Sequence, residues 1–196
     1  MQKKLIRSLK KNGLVRVKAP SLGHPQHAAV LLLLCESGNN FEILLTKRSE
    51  SVTYHRGEVA FPGGMWEESD SDMLETAFRE TGEEIGLSRD NIEPLTTLPT
   101  VTPHNRQTVV TPFVGCMIGN PGLTVQTSEA DCIFRIPVDY FLCPNNYQYL
   151  LINYKKFKKN VPMVQFQDYR IWGMTLRIIV GMLNSFGDAN IKCNIN

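Results

Sequence analysis

The segment FPGGMWEESDSDMLETAFRETGEEIGL, Phe61 to Leu87, restricts the fold of this chain more than any other. A strand reaching Phe61 stops at Pro62, which has no amide proton for a sheet ladder. Gly63 and Gly64 permit a sharp loop whose backbone can approach a helix or a ligand closely. A helix is expected from about Asp72 to Ile85. Asp72 with Glu75 three residues on fits a capping box, and Gly86 fits a helix stop. On a helical wheel, Leu74, Phe78, Thr81 and Ile85 share one face with Ala77 at its flank, while Glu80, Glu83 and Glu84 share another. The first face can pack on a sheet; the second must do something else.

The sheet for that face is legible in outline. Ala28 to Leu34, within the run AAVLLLLC, reads as a buried central strand, because the run is too short to span a bilayer. Phe41 to Thr46 follows the turn Ser37-Gly38-Asn39-Asn40 and pairs with it as a hairpin. Val59 to Phe61 is a short strand. Further strand-like segments are Leu95 to Val101, Val109 to Cys116 broken by Pro112, Cys132 to Ile136, and Tyr147 to Tyr154. A packing helix is expected over about Ile171 to Leu183. Strands mix with two helices without regular βαβ alternation, which points to an α/β fold with a mixed sheet and helices on its faces.

A length of 196 residues suits one domain with a full core, and no repeat or second-domain linker is visible. The organisation expected is a basic lead-in over residues 1–24 and one domain over 25–196. The lead-in holds Lys3, Lys4, Arg7, Lys10, Lys11, Arg16 and Lys18 and no acid. It reads as a solvated segment, with anionic-substrate attraction, nucleic-acid contact or weak organelle targeting as functional alternatives. The whole chain has a net charge of +2, so no global field selects a nucleic acid or a membrane. Five scattered cysteines without a CxxC pair argue against a disulfide framework or zinc site and favour a reducing compartment.

Like charges at i and i+4 cost about 0.2–0.5 kcal/mol per pair on an exposed helix, so a solvated acidic face is the plain reading of Glu80, Glu83 and Glu84. The surroundings favour another. Asp70 lies upstream, where a loop can return its carboxylate to Arg79, and the double glycine brings backbone close. Several hard carboxylate oxygens on one face suit Mg²⁺ or Mn²⁺ rather than zinc. Such an ion can polarise a phosphoryl group and lower the pKa of a bound water, so the cluster suggests metal-assisted phosphoanhydride hydrolysis.

The same residues resemble the Nudix box. Gly64 matches its opening glycine, and Arg79, Glu80, Glu83, Glu84, Gly86 and Leu87 match its closing half in order. Thr81 stands where an aliphatic residue is usual, and Asp70 takes the first acidic position. Eight residues instead of seven separate Asp70 from Arg79, which leaves open whether the two still pair. The long spacing resembles the coenzyme A diphosphatase branch of the family. So does LLTKRSESVTYHRGEVAFPGG, in which Leu44, Leu45, Thr46, Arg48, Ser49, His55, Gly57 and Phe61 to Gly64 match. An arginine usual between Ser49 and His55 is absent, with Thr53 in its place. The segments SEAD…FRIP and YRIWGMT also look like that branch, so the likeness runs from about Pro25 to Leu183.

The resemblance implies the Nudix fold, an α/β/α sandwich around a mixed β-sheet. It implies metal ligands at Glu80, Glu83 and Glu84, with Arg79 orienting Glu80 and Gly63 or Gly64 completing the shell. Arg48 and His55 join the two glycines as substrate-contact candidates. Glu129 is the candidate distant general base, with His55 and His104 as alternatives. Tyr169 and Trp172 either stack on adenine or belong to the core. The expected substrate is coenzyme A or an acyl derivative, with other nucleoside diphosphate derivatives, or a non-catalytic binding module, as alternatives. Neither a membrane nor a nucleic acid is expected as partner, and a homodimer is open. The last residues, Asn194 to Asn196, are not an SKL-type address, and the default compartment is the cytoplasm, with mitochondria or peroxisome as alternatives.

Overall fold

The computed structural model describes residues 2–18, 25–49, 57–103, 107–125, 130–154 and 157–192. The elements are α1 Gln2–Asn12, β1 Gln26–Ser37, β2 Asn40–Arg48, β3 Val59–Ala60, β4 Gly63–Met65, α2 Met73–Ile85 and β5 Ile92–Thr97. They continue with β6 Thr108–Met117, β7 Ala130–Pro137, β8 Tyr147–Tyr154, β9 Phe157–Phe166, β10 Tyr169–Trp172 and α3 Gly173–Phe186.

Among the described residues, seven strands form one mixed sheet with the path β3-β2-β1-β6-β5, while β4 also pairs β1 and β7 also pairs β2. β1 lies at its centre, antiparallel to β2 and β4 and parallel to β6. Its apolar run is explained by burial on both faces, because alternate side chains of a strand point to opposite sides. Ala29, Leu31, Leu33 and Cys35 join the core under α2, with Leu74, Ala77, Phe78 and Ile85. Leu32 and Leu34 join the opposite core, with Leu5 and Leu9 of α1 and Leu176, Ile179 and Leu183 of α3. The layers are therefore helix, sheet and helix, as expected.

Several segments differ from the sequence reading. Residues 2–12 are not a solvated lead-in but a helix with Leu5 and Leu9 buried in the core, while its lysines face outward. β6 is not broken at Pro112, because that residue stands opposite Val30 and its carbonyl accepts the Leu98 amide at 2.9 Å. The segment read as a strand from Leu95 to Val101 runs instead from Ile92 to Thr97, with Val101 only bridging Val110. Tyr147–Tyr154 does not join the main sheet; among the described residues it forms a separate three-stranded sheet, β10-β9-β8. Ile171 lies on β10, so the last helix begins two residues later, at Gly173. Tyr169 is partly buried and packs against the core, its ring stacked on Phe134 at 3.7 Å and 8°.

Candidate active site

α2 is bounded as its sequence dictates. Asp72 caps it, accepting the Leu74 amide at 2.9 Å and the Glu75 amide at 3.0 Å, and Gly86 ends it in the left-handed region at φ 68°. The apolar face packs on the sheet, with Thr81 fully buried beside its aliphatic neighbours and its hydroxyl donating to the Ala77 carbonyl at 2.6 Å. That bond explains how a threonine serves at a position where an aliphatic residue is usual.

The acidic face that flanks it meets β4, the strand paired with β1. Gly63 has φ 145°, and a Cβ there would run into the backbone of Ala29 and Val30 on β1, so only glycine permits the pairing. Its amide donates to Glu84 Oε2 at 3.3 Å. Gly64 lies against the carboxylate of Glu80, in the space that a Cβ would fill. Glu84 is thus buried at the sheet side of the helix, whereas Glu83 points outward with a half-exposed side chain.

Arg79 joins these pieces. Its Nε donates to Asp70 Oδ1 at 2.9 Å and its Nη2 to Asp70 Oδ2 at 3.0 Å. Nη2 also donates to the Met65 carbonyl at 2.8 Å, which ties the guanidinium to β4. Nη1 donates to Glu80 at 3.0 Å and to Glu83 at 3.3 Å. The extra residue between Asp70 and Arg79 therefore leaves the pair intact. Asp70 also accepts the Glu67 amide at 3.1 Å and the Thr76 hydroxyl at 2.9 Å. Burial opposes ionisation of Asp70, but the bonds from Arg79, Glu67 and Thr76 outweigh it and hold the carboxyl below its usual range. The bonds to Asp70 and the charge of Glu80 correspondingly raise the Arg79 guanidinium.

Among the described residues, no three of His, Cys, Asp and Glu already converge as a metal cluster, since Glu80 and Glu83 lean on Arg79 and Glu84 on the Gly63 amide. The donor set nevertheless fits a hard divalent cation. It consists of carboxylate oxygens on adjacent turns of one helix, facing a backbone cradle that glycine alone keeps open at Gly64.

The other sequence candidates fall unevenly. Arg48 ends β2 opposite Ala130 of β7, the residue after Glu129; its amide donates to the Glu58 carbonyl at 2.9 Å and its carbonyl accepts the Gly57 amide at 3.2 Å. His55, His104 and Glu129 lie outside the described residues. Two residues that support the helix escaped the sequence reading. Arg16 reaches Asp72 at 2.8 Å, and Arg89 donates to both carboxylate oxygens of Glu75 at 2.6 Å while stacking over Phe78 at 5.0 Å. Glu75 is therefore taken up by arginines, not by the reciprocal bond of a capping box. The fixed three-residue step from Asp72 to Glu75 marks the cap, but nothing local marks its distant partners.

Comparison with known proteins gives the same region a name. The profile described as NUDIX domain matches residues 25–132. An uncharacterized Nudix hydrolase, NudL, of Photorhabdus laumondii subsp. laumondii is 34% identical over 157 residues, covering 79% of this chain and 81% of that protein. A mitochondrial coenzyme A diphosphatase of Homo sapiens is 33% identical over 154 residues, covering 77% of this chain and 65% of that protein. A MutT/nudix family protein from Enterococcus faecalis shares the fold, with a TM-score of 0.57 over 87% of this chain and 65% of that one at 19% identity.

Proposed function

Since the chain belongs to the NUDIX family, we propose that it hydrolyses the pyrophosphate linkage of coenzyme A or an acyl-coenzyme A. The products are 3′,5′-ADP and 4′-phosphopantetheine or its acyl derivative. The observation that carries the hydrolase reading is the seating of Glu80 and Glu84 against Gly63 and Gly64. The choice of coenzyme A is supported by the eight-residue spacing, by the match at Leu44 to Gly64, and by the similarity to the human coenzyme A diphosphatase.

Glu80, Glu83 and Glu84 would hold Mg²⁺ or Mn²⁺. When bound, such an ion polarises a phosphoryl oxygen and lowers the pKa of a bound water. The protein supplies the rest. Asp70 fixes Arg79, and Arg79 turns Glu80 toward the glycine cradle. Arg48 contacts the diphosphate from the end of β2, and His55 is a second substrate contact. Glu129 takes the proton of the attacking water on a carboxylate oxygen, with His55 and His104 as alternative bases. A new P–O bond forms, the bridging P–O bond breaks, and the leaving phosphate carries away the electron pair.

Among the described residues no helix is long and apolar enough to cross a membrane, and Cys35, Cys116, Cys132 and Cys143 are free thiols. The free thiols support a reducing compartment, which the cytoplasm and the mitochondrial matrix both provide. The decisive experiment is mass spectrometry of products after incubation with free and acylated coenzyme A, ADP-ribose, NADH and a dinucleoside polyphosphate, each with Mg²⁺ and Mn²⁺. Cleavage of coenzyme A to 3′,5′-ADP is expected. Intact coenzyme A beside cleaved ADP-ribose would overturn the substrate assignment.

A further inference from the structure

Residues 13–18 precede the NUDIX match and run as a strap from the end of α1 to the beginning of α2. One part of the strap is fixed to β5. Thr96 Oγ1 donates to the Gly13 carbonyl at 2.8 Å, and Val15 exchanges bonds with Thr97, its amide donating at 3.1 Å and its carbonyl accepting at 2.6 Å. The other part is fixed to α2. The Met73 amide donates to the Val17 carbonyl at 3.1 Å, and Lys18 bridges Asp72. Leu14 and Val17 pack against the core beneath α2. Between these anchors, Arg16 Nη1 donates to Asp72 Oδ2 at 2.8 Å, and Nη2 lies 3.8 Å from Glu75.

The Asp72 carboxylate is thereby divided: Oδ1 receives the Leu74 and Glu75 amides, and Oδ2 receives Arg16. The terminal torsion of an aspartate is a broad two-fold rotor, and a bond at each oxygen stops it. α2 is a rigid rod, so a shift at Asp72 carries to Glu80, about 12 Å along the axis at ~1.5 Å per residue. Resting on the hydrolase reading, we propose that Arg16 is a positioning residue: through Asp72 it sets the seat of α2, and so the fit of Glu80 and Glu84 against Gly63 and Gly64. Arg16 is half-exposed and Asp72 keeps its two amide bonds without it, so losing the ion pair costs little overall stability and acts on the rate more than on the melting temperature.

The test compares Arg16→Ala and Arg16→Lys with Lys11→Gln, which removes a neighbouring positive charge away from Asp72. Three quantities are read: kcat and KM per folded molecule, amide exchange along α2 and α3, and Mn²⁺ affinity by calorimetry. Arg16→Ala is expected to lower kcat about tenfold with KM held within about twofold, because small misplacements of catalytic groups are costly. Exchange at Leu74 and Glu75 quickens while α3 is unchanged, Mn²⁺ binds more weakly, and Arg16→Lys restores part of each. Unchanged kcat and exchange in Arg16→Ala, or an equal loss in Lys11→Gln, would overturn the assignment. A lower melting temperature with kcat per folded molecule intact would also overturn it, by reducing Arg16 to a structural contact. Should the wild-type protein cleave no phosphoanhydride, the hydrolase reading falls, while exchange and Mn²⁺ binding still judge Arg16.

Discussion

Asp70 grips Arg79 with both carboxylate oxygens, at 2.9 and 3.0 Å, across a gap of eight residues. The Asp70 side chain is only 4% exposed and that of Arg79 21%, so the pair is shielded from solvent. Arg79 in turn holds Glu80 and the Met65 carbonyl. Asp70 therefore governs both the loop and the carboxylate that the loop must meet.

This arrangement makes Asp70 a source of acid sensitivity. The folded-state pKa of Asp70 lies below its unfolded value, which is about 3.9. The stability it contributes is complete above the unfolded pKa and is lost as pH falls through the folded one. Asp70→Asn is expected to be less stable than wild type by about 2 kcal/mol at neutral pH, the range for a lost charge-assisted hydrogen bond. That deficit should shrink as pH drops below about 4. Thermal unfolding in half-unit pH steps measures it, and a deficit independent of pH would show that the Asp70 charge is irrelevant.

The two glycines should fail differently. An added Cβ at Gly63 meets the backbone of β1, which cannot yield, and φ 145° is closed to other residues. At Gly64 it meets the end of the Glu80 side chain, which can swing away. Gly63→Ala should therefore lower the yield of folded protein sharply. Gly64→Ala should fold with a near-normal melting temperature and lose activity on the order of 10²-fold, because Glu80 is displaced. Circular dichroism melts beside turnover assays separate the two, and equal stability losses would refute the distinction.

The three glutamates should also be unequal. In Glu84→Gln the amide oxygen can still accept the Gly63 amide, so the fold is kept while a charge is removed. Turnover should fall on the order of 10²–10³-fold for Glu84→Gln and Glu80→Gln, the scale of losing one preorganised electrostatic group. Glu83, 56% exposed and 3.3 Å from Arg79, should matter less, with a loss of about tenfold. Mn²⁺ calorimetry on the same variants should rank affinity in the same order. Wild-type affinity in all three would place the cation elsewhere.

The features legible in the sequence are local ones. The bounds of α2 follow from Asp72 and Gly86, and its faces follow from helical spacing, so residue order alone reveals both. The β1–β2 hairpin is legible for a similar reason, a short turn between apolar runs. β9 is not, because FKKNVPMVQF has no clean alternation and carries Pro162 in its interior. The support for the site is equally hidden. Arg16 and Asp72 are far apart in the chain, and no spacing rule connects them. Glu80, Glu83 and Glu84 are legible as a set, but burial of one and exposure of another depends on where β4 lands.

α1 supplies the remaining test, because its lysines disguise a core element. Leu5 and Leu9 are one turn apart, 1% and 0% exposed, and pack with β1, β2 and α3. Gln2 accepts the Phe41 amide, so the helix is also tied to β2. Leu9→Ala removes buried methyl groups from a filled core and should destabilise the protein by about 2–5 kcal/mol. Lys11→Gln, on the exposed face, should change stability by no more than about 0.5 kcal/mol. Denaturant unfolding of the two variants checks the contrast. If Leu9→Ala unfolds at the wild-type midpoint with the same slope, α1 does not belong to the cooperative core.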